Sequence, residues 1–448
     1  MKSKLKIIFL NHASFIVHYN STKILVDPYL FGEAFNNGWN LLKEFDHSEH
    51  LKNITHICYS HEHPDHFSVP FLKSIKDSDR KKITIIYQHT YDKKVKKFCE
   101  KLGFKFRELK DSIEEKIEDS FLITIGKVPF FDSWINFNVD NKNILNVNDC
   151  VLENPNLVFK IKKKLNRKIN CLFTQFSYAE FIEQSQQKFR ATKQLEKIKL
   201  QDDILEPEYI VPFASFIFYS HEENKFMNEN FNKLTDVYEF IKSKCNAIPT
   251  ILKPNEIWEF NQKDNQESVN FWSNIYEKVE ESKFHQLQKK FDKNQLIEKS
   301  KLYLKKIYSL NSKFLIFLLV KLNFFPTIKI YLTDLNKFFK FNVSDGLIEA
   351  NVSKNENCLK ISSDSLAFIF DFDFGYDTLL VNARLSTSQK YLILINRCFL
   401  IGTLNNTGRY IKFIEFFKYL NLGLVFRGLE VAGLKKRKYL IIYLIYKF

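Results

Sequence analysis

The chain has 448 residues, enough for two or three domains and a large core, and its 45% hydrophobic and 27% charged content places it in the soluble globular class. Its longest apolar run, 314–320, stops at Lys321 and is far short of the roughly 20 residues that span a membrane, so a membrane-embedded class is excluded. The seven cysteines are scattered without a C-x-x-C pair, and Met1-Lys2-Ser3-Lys4 leads directly into a strand with no secretory signal. A reducing cytoplasm is therefore the expected location. The net charge of +15 fits either an acidic partner or a compositional bias toward Lys, Asn, Ile and Phe. The basic residues are spread along the chain, so nucleic acid is not an expected partner.

In chain order, residues 5–10, 15–18 and 23–28 read as three short strands, with Asn11-His12-Ala13-Ser14 as a turn between the first two. The apolar run 54–60 is a fourth, buried strand. It feeds His61-Glu62-His63-Pro64-Asp65-His66, after which Ser68 can cap a helix starting near Pro70. Three imidazoles and a carboxylate thus sit on one turn held at both ends by rigid elements. Such a turn can aim several ligands at one point, as a metal site requires.

This H-x-H-x-D-H pattern resembles the metallo-β-lactamase superfamily. The resemblance implies an α/β fold, the αββα sandwich. It also implies that His61 and His63, with one downstream histidine, hold one metal, and that Asp65 and His66 hold a second. One or two ions of Fe or Zn per chain are the implied cofactor. Asp65 would orient the metal-bound nucleophile. His12 falls where it can face metal or substrate, and a core histidine satisfied by backbone is the competing reading.

Residues 83–88, 92–101 and 104–107 read as strand, helix and strand, with His89 too close to the motif to be its third histidine. Residues 121–126, 134–139 and 143–147 are three further strands. The last runs into Asp149, where the superfamily places a carboxylate shared by both metals; a helix N-cap is the alternative. Two departures follow. The stretch Val128-Pro129-Phe130-Phe131-Asp132-Ser133-Trp134 lacks the expected histidine, so either the first metal has fewer nitrogens or Asp132 substitutes. A strand at 169–175 and a long amphipathic helix at 181–200 come next. Pro212-Phe213-Ala214 then carries alanine where the superfamily has its last histidine, and His221 is the nearest substitute.

Asp132-Ser133-Trp134, the segment 144–150 and Pro212-Phe213-Ala214 with His221 resemble the CMP-N-acetylneuraminate hydroxylase branch over roughly the first 260 residues. That branch oxidises a sugar carried on CMP and uses a Rieske iron–sulfur domain. No cysteine here pairs with a histidine at the spacing such a cluster needs, so electrons would come from a separate protein. Two nitrogens and a carboxylate also suit non-haem iron. The expected function is a non-haem iron oxygenase acting on a small anionic or nucleotide-linked sugar, with His12 and Asp132 toward the substrate. A Zn-dependent hydrolase of a phosphodiester, lactone or amide remains open, as does a binding protein that keeps the fold without turnover.

The expected domains are 1–262 catalytic, 263–312 a helical connector, and 313–448 a smaller α+β accessory domain. Helical spacing of Phe271, Ile275, Val279, Phe284, Leu287 and Phe291 predicts one helix over 268–295. Strands are expected at 328–331, 340–342, 347–351 and 359–361, a Ser362-capped helix next, and a strand at 377–385. Their order weakly resembles sterol-carrier-like domains. A homo-oligomer is compatible with this reading.

Overall fold

The computed structural model describes residues 5–128, 132–350 and 357–412. Two compact units appear. The first comprises Met1–Ala179, Gln186–Ser220 and Met227–Lys283, and the second Glu180–Ser185, His221–Phe226 and Phe284–Phe448.

The first unit is built on two seven-stranded sheets. Strands β1 (Lys6–Asn11), β2 (Ser14–Tyr19), β3 (Thr22–Val26), β4 (His56–Cys58), β5 (Thr84–Gln88) and β6 (Lys105–Leu109) follow one another in space, with Ile257–Trp258 beside β1. The first three are antiparallel meanders, and β3 to β6 run parallel. The second sheet contains β7 (Glu114–Glu118), β8 (Phe121–Lys127), β9 (Ser133–Val139), β10 (Lys142–Asn148), β11 (Cys171–Gln175) and β12 (Tyr209–Phe213), with Ile248–Pro249 beside β12. Pairing is antiparallel up to β10 and parallel from β10 to β12.

Side chains alternate faces along a strand, and this sorts the core. Ile7, Phe9, Phe15 and Val17 join Ile123, Ile135 and Phe137 of the second sheet in one cluster. Ile8, Leu10 and Ile16 face the other way, toward Phe71, Leu72, Val95 and Cys99 of the helices Val69–Ser74 and Lys94–Lys101. Helices Pro155–Leu165, Gln187–Leu205 and Leu234–Lys244 supply Val158, Ile198 and Val237 to the first cluster. The sheets thus sit between helical layers, an αββα arrangement. Phe15 stacks on Phe173 across the sandwich at 4.3 Å and 6°. Gly126 pairs with Trp134, whose indole would lie 2.0 Å from an added Cβ, so only glycine fits beneath it.

Two expectations are corrected. The helix over 268–295 is interrupted: Gln266–Glu277 ends in a short 3-10 turn, Ser282 is extended, and Asp292 starts a new helix, Lys293–Leu310, with a capping box. The apolar spacing at 271–275 marks the first helix, and Val279 falls in the 3-10 turn that closes it. Residues 377–385 are not a strand. The helix Gly375–Asn382 covers most of them; the apolar run Leu379-Leu380-Val381 fits either state, since leucine favours helix and only Val381 is β-branched. Tertiary contacts decide between them here. Gly375 approaches the Phe368 carbonyl so closely that a Cβ would lie 2.6 Å from it, and Asp377 accepts a hydrogen bond from Thr403. The second unit otherwise has a four-stranded sheet at Ile328–Leu332, Lys337–Asn342, Gly346–Glu349 and Leu359–Ile361, then a helix capped by Ser362. The end of the strand expected at Asn351, the Pro129–Phe131 stretch and residues 413–448 of the expected accessory domain lie outside the described residues.

A candidate metal centre at the end of the sandwich

The ends of β1, β3, β4 and β10 and the start of β9 deliver the candidate residues. Ser60 and the histidine turn follow β4, and Ser68 caps the next helix by accepting from the Phe71 N–H. Asp27, just past β3, fixes the turn. It accepts from the Ser60 N–H at 2.8 Å and the Ser60 hydroxyl at 2.6 Å, and it pairs with His66 Nδ1 at 3.0 Å. His66 Nε2 is thereby left facing Asp65 at 3.5 Å and Asp149 at 3.7 Å. Ser60 Oγ also holds His61 Nδ1 at 2.9 Å, which turns His61 Nε2 toward His63 Nδ1 at 2.9 Å and Asp149 at 3.5 Å.

Asp149 is placed by a left-handed residue, Asn148 (φ 37°), whose side chain donates to the Ser133 carbonyl and accepts from the Asp149 N–H. Ser133 donates in turn to the Ser60 carbonyl and ties the two sheets together at the site. His12 occupies a second left-handed turn (φ 39°), with Nε2 3.2 Å from Asp65. Its carbonyl accepts from the Ala214 N–H at 2.9 Å, so His12 borders Ala214, where the resemblance led to the expectation of a histidine.

Three groups could each hold an ion: His12, Asp65 and His66; His61, His63 and Asp132; and His61, His66 and Asp149. Within each, the ligand atoms lie within 4.8 Å of one another. His12 thus meets the second pair and Asp132 the first, with Asp149 between them. None of the three includes His221, which belongs to the second unit. There its Nδ1 accepts from the Glu223 N–H at 3.1 Å, and burial with the Arg384 charge lowers its pKa to about 4. His89 is in none of these groups either.

The chemistry of the donors fits a cation. His12 Nδ1, Asp65 Oδ1, His66 Nε2 and Asp149 Oδ1 are buried and have no hydrogen-bond partner among the described residues. Buried polar atoms are otherwise nearly always satisfied. Burial holds the His12 and His61 imidazoles below their ordinary range, as neutral metal ligands require. At His66 burial is outweighed by Asp65 and Asp149, which raise its pKa to about 10. That imidazolium is the local counter-charge where no ion is bound. Burial and then Asp149 push the Asp132 carboxyl well above its ordinary range. Three carboxylates crowd one pocket, and a divalent cation would neutralise them. His63 is exposed and Asp149 half-buried, which places the opening of the pocket on that side.

Asp27 and Ser60 had no assigned role in the sequence. The signal was present in the Val-Asp-Pro end of β3, whose carboxylate reaches the turn after the neighbouring strand.

Residues 6–165 match the family model described as a β-lactamase superfamily domain, and the first unit has the corresponding mixed α/β sandwich. The chain is similar to the cytidine monophosphate-N-acetylneuraminic acid hydroxylase of Xenopus laevis, 25% identical over 271 residues, which covers 57% of this chain and 46% of the relative. It is 26% identical over 245 residues to the enzyme of that name from Mus musculus, covering 51% and 42%. It is also 25% identical over 268 residues to the inactive human protein of that description, covering 56% and 53%. The chain spans about half the length of the curated relatives it matches. Among solved structures, CmlA, a diiron β-hydroxylase from Streptomyces venezuelae, aligns with a TM-score of 0.42 at 14% identity over 58% of this chain and 54% of its own. Igni18, a metallo hydrolase from Ignicoccus hospitalis, aligns at 0.41 and 14% over 58% and 99%.

Proposed function

We propose that this chain is a metal-dependent enzyme, a non-haem iron oxygenase that hydroxylates a small anionic, nucleotide-linked sugar, as the hydroxylases it resembles are named for doing. One observation carries the reading. The two outer groups each pair two imidazoles with one carboxylate, and Asp149 lies between them. Two histidines and a carboxylate with open positions form the donor set of non-haem Fe(II) oxygenases.

In this reading His61, His63 and Asp132 would hold one ion and His12, Asp65 and His66 the other, with Asp149 available as a further carboxylate between the two groups. Bound iron would supply oxygen activation and Lewis acidity. The protein's own part is positional. Asp27 and Ser60 hold the His66 and His61 rings so that their Nε2 atoms point inward. The surrounding burial keeps water from competing for the reactive positions. Hydroxylation by O2 also consumes two electrons, so the proposal includes an electron-transfer partner.

The test is metal content by mass spectrometry on full-length protein purified anaerobically without a polyhistidine tag. The comparison is a His61→Ala/Asp149→Ala double variant. Iron at one or two ions per chain, lost in the variant, supports the reading. Zinc alone overturns the oxygenase and favours a hydrolase of phosphodiesters, lactones or amides. No metal in either protein favours a binding protein without turnover.

A further inference from the structure

One buried charge near this pocket is unused by the reading above. Lys197 lies in the helix Gln187–Leu205 and is only 5% exposed. Lysine is almost never fully buried unless paired. Among the described residues, its ammonium makes no hydrogen bond and no ion pair.

Its place follows from its neighbours on the same helix face. Gln194, three residues earlier, donates to the Gln175 carbonyl and side chain at 3.3 and 3.0 Å. Gln201, four residues later, accepts from the Thr174 hydroxyl at 2.7 Å. Residues three and four apart share a helix face, so Lys197 is held over the end of β11 between these two anchors. Thr174 is in register with Asn148, the residue before Asp149. Arg190, two turns earlier, pairs with Glu153 at 2.6 Å, just beyond Asp149. The helix therefore runs alongside the segment that carries the central carboxylate. Beside the apolar Ala191 and Ile198, the helix buries a polar row, with Gln187, Gln194, Lys197 and Gln201 all at 5% exposure or less. Burial pulls the Lys197 ammonium down to about 8, partly offset by the Asp149 carboxylate, so at neutral pH it remains mostly charged. The lysine's charge in turn acts on Asp132 and Cys150.

We propose that Lys197 is the anion anchor of the metal pocket, its ammonium receiving a carboxylate or phosphate of the substrate beside the metal ions. The inference rests on the metal-centre reading above and adds a specificity residue to it. A cation with no partner of its own, on a helix face fixed by two flanking glutamines, is prearranged for an anion. A charge-assisted contact of this kind made in a buried setting is worth more than one at the surface.

The test uses full-length protein loaded with Co²⁺, whose visible spectrum reports on its surroundings. Wild type, Lys197→Met, Lys197→Gln and Lys197→Arg are titrated with inorganic phosphate and, separately, with acetate. Cobalt content and thermal unfolding are measured alongside. Saturable spectral changes are expected in wild type, and the stronger of the two anions names the substrate group. Lys197→Met and Lys197→Gln should weaken that anion on the order of tenfold or more at unchanged cobalt content, with Lys197→Arg retaining most of the affinity. Equal anion affinity in all four proteins overturns the assignment. So does loss of cobalt from the folded neutral variants, which makes the lysine a support of the ligand shell. Wild type that takes up cobalt but responds to neither anion sinks the anchor and leaves the metal centre standing. Wild type that takes up no cobalt sinks both.

Discussion

The two units each bury a cluster of charge, and the clusters differ in how they are satisfied. In the second unit Arg384 donates to Glu223 at 2.8 Å and to Asp364 at 3.1 Å, and Asn224 donates to the Asn382 carbonyl at 2.6 Å. In the first unit the Asp65, His66 and Asp149 cluster keeps buried atoms with no hydrogen-bond partner among the described residues. A charge cluster that closes on itself is structural: removing a partner exposes its desolvation cost and little else. A cluster with converging, unmatched donors is shaped for a further charge. The comparison separates residues that hold the fold from residues that could hold an ion, although both look alike among buried polar side chains.

The largest stability effect should come from breaking the closed cluster. Arg384→Met leaves the Glu223 and Asp364 carboxylates facing each other without their shared cation. Each keeps some solvent contact, with side chains 21% exposed, so the loss should be roughly 3 kcal/mol, the low end for a broken buried pair. Denaturant unfolding of full-length protein measures it. Metal content should not change. A large fall in metal content with little loss of stability would reverse the roles given to the two clusters.

The open cluster should respond in the opposite way. Asp27→Asn keeps the volume and most of the hydrogen bonds but weakens the charged acceptor that orients His66. Outer carboxylates of this kind are worth roughly 10–100-fold in metal affinity. Competition against a chromogenic chelator reads this directly. An affinity within twofold of wild type would show that His66 needs no such support.

The same contrast explains what the sequence could and could not reveal. The six-residue histidine turn was legible because its ligands are local and a strand and a helix brace it. Most of the strands were legible too, since period-two alternation reports a buried face wherever it occurs. Asp132 could be flagged as a substitute for the missing histidine and His12 only as facing metal or substrate. Their grouping depends on the end of β1 and the start of β9 meeting at the same edge, a long-range fact. Lys197 was invisible for a different reason. A polar residue on an amphipathic helix reads as solvent-facing, and nothing local shows that this helix buries glutamines and a lysine. The reverse error placed a strand at 377–385, where the close approach of Gly375 to Phe368 and the Asp377–Thr403 hydrogen bond decide in favour of helix.

The smallest effect, and the sharpest check on the boundary between the clusters, concerns His221. The resemblance, with Ala214 where the family's last histidine would stand, made it a ligand candidate, whereas its Nδ1 is already occupied by the Glu223 N–H. His221→Gln should therefore leave metal content unchanged. It should alter stability only in acid. Burial and the Arg384 charge lower the folded-state pKa to about 4 from an ordinary value of 6.5. The folded protein thus resists a proton that the unfolded chain accepts. No penalty exists above about pH 6.5; it grows as the pH falls toward 4 and is then fully expressed. Wild type should lose on the order of 1 kcal/mol more than the variant between pH 7 and pH 5, read as a steeper fall in unfolding midpoint. Parallel pH profiles would remove His221 from the acid response. Loss of an ion in His221→Gln would return it to the metal centre and make one ligand set span both units.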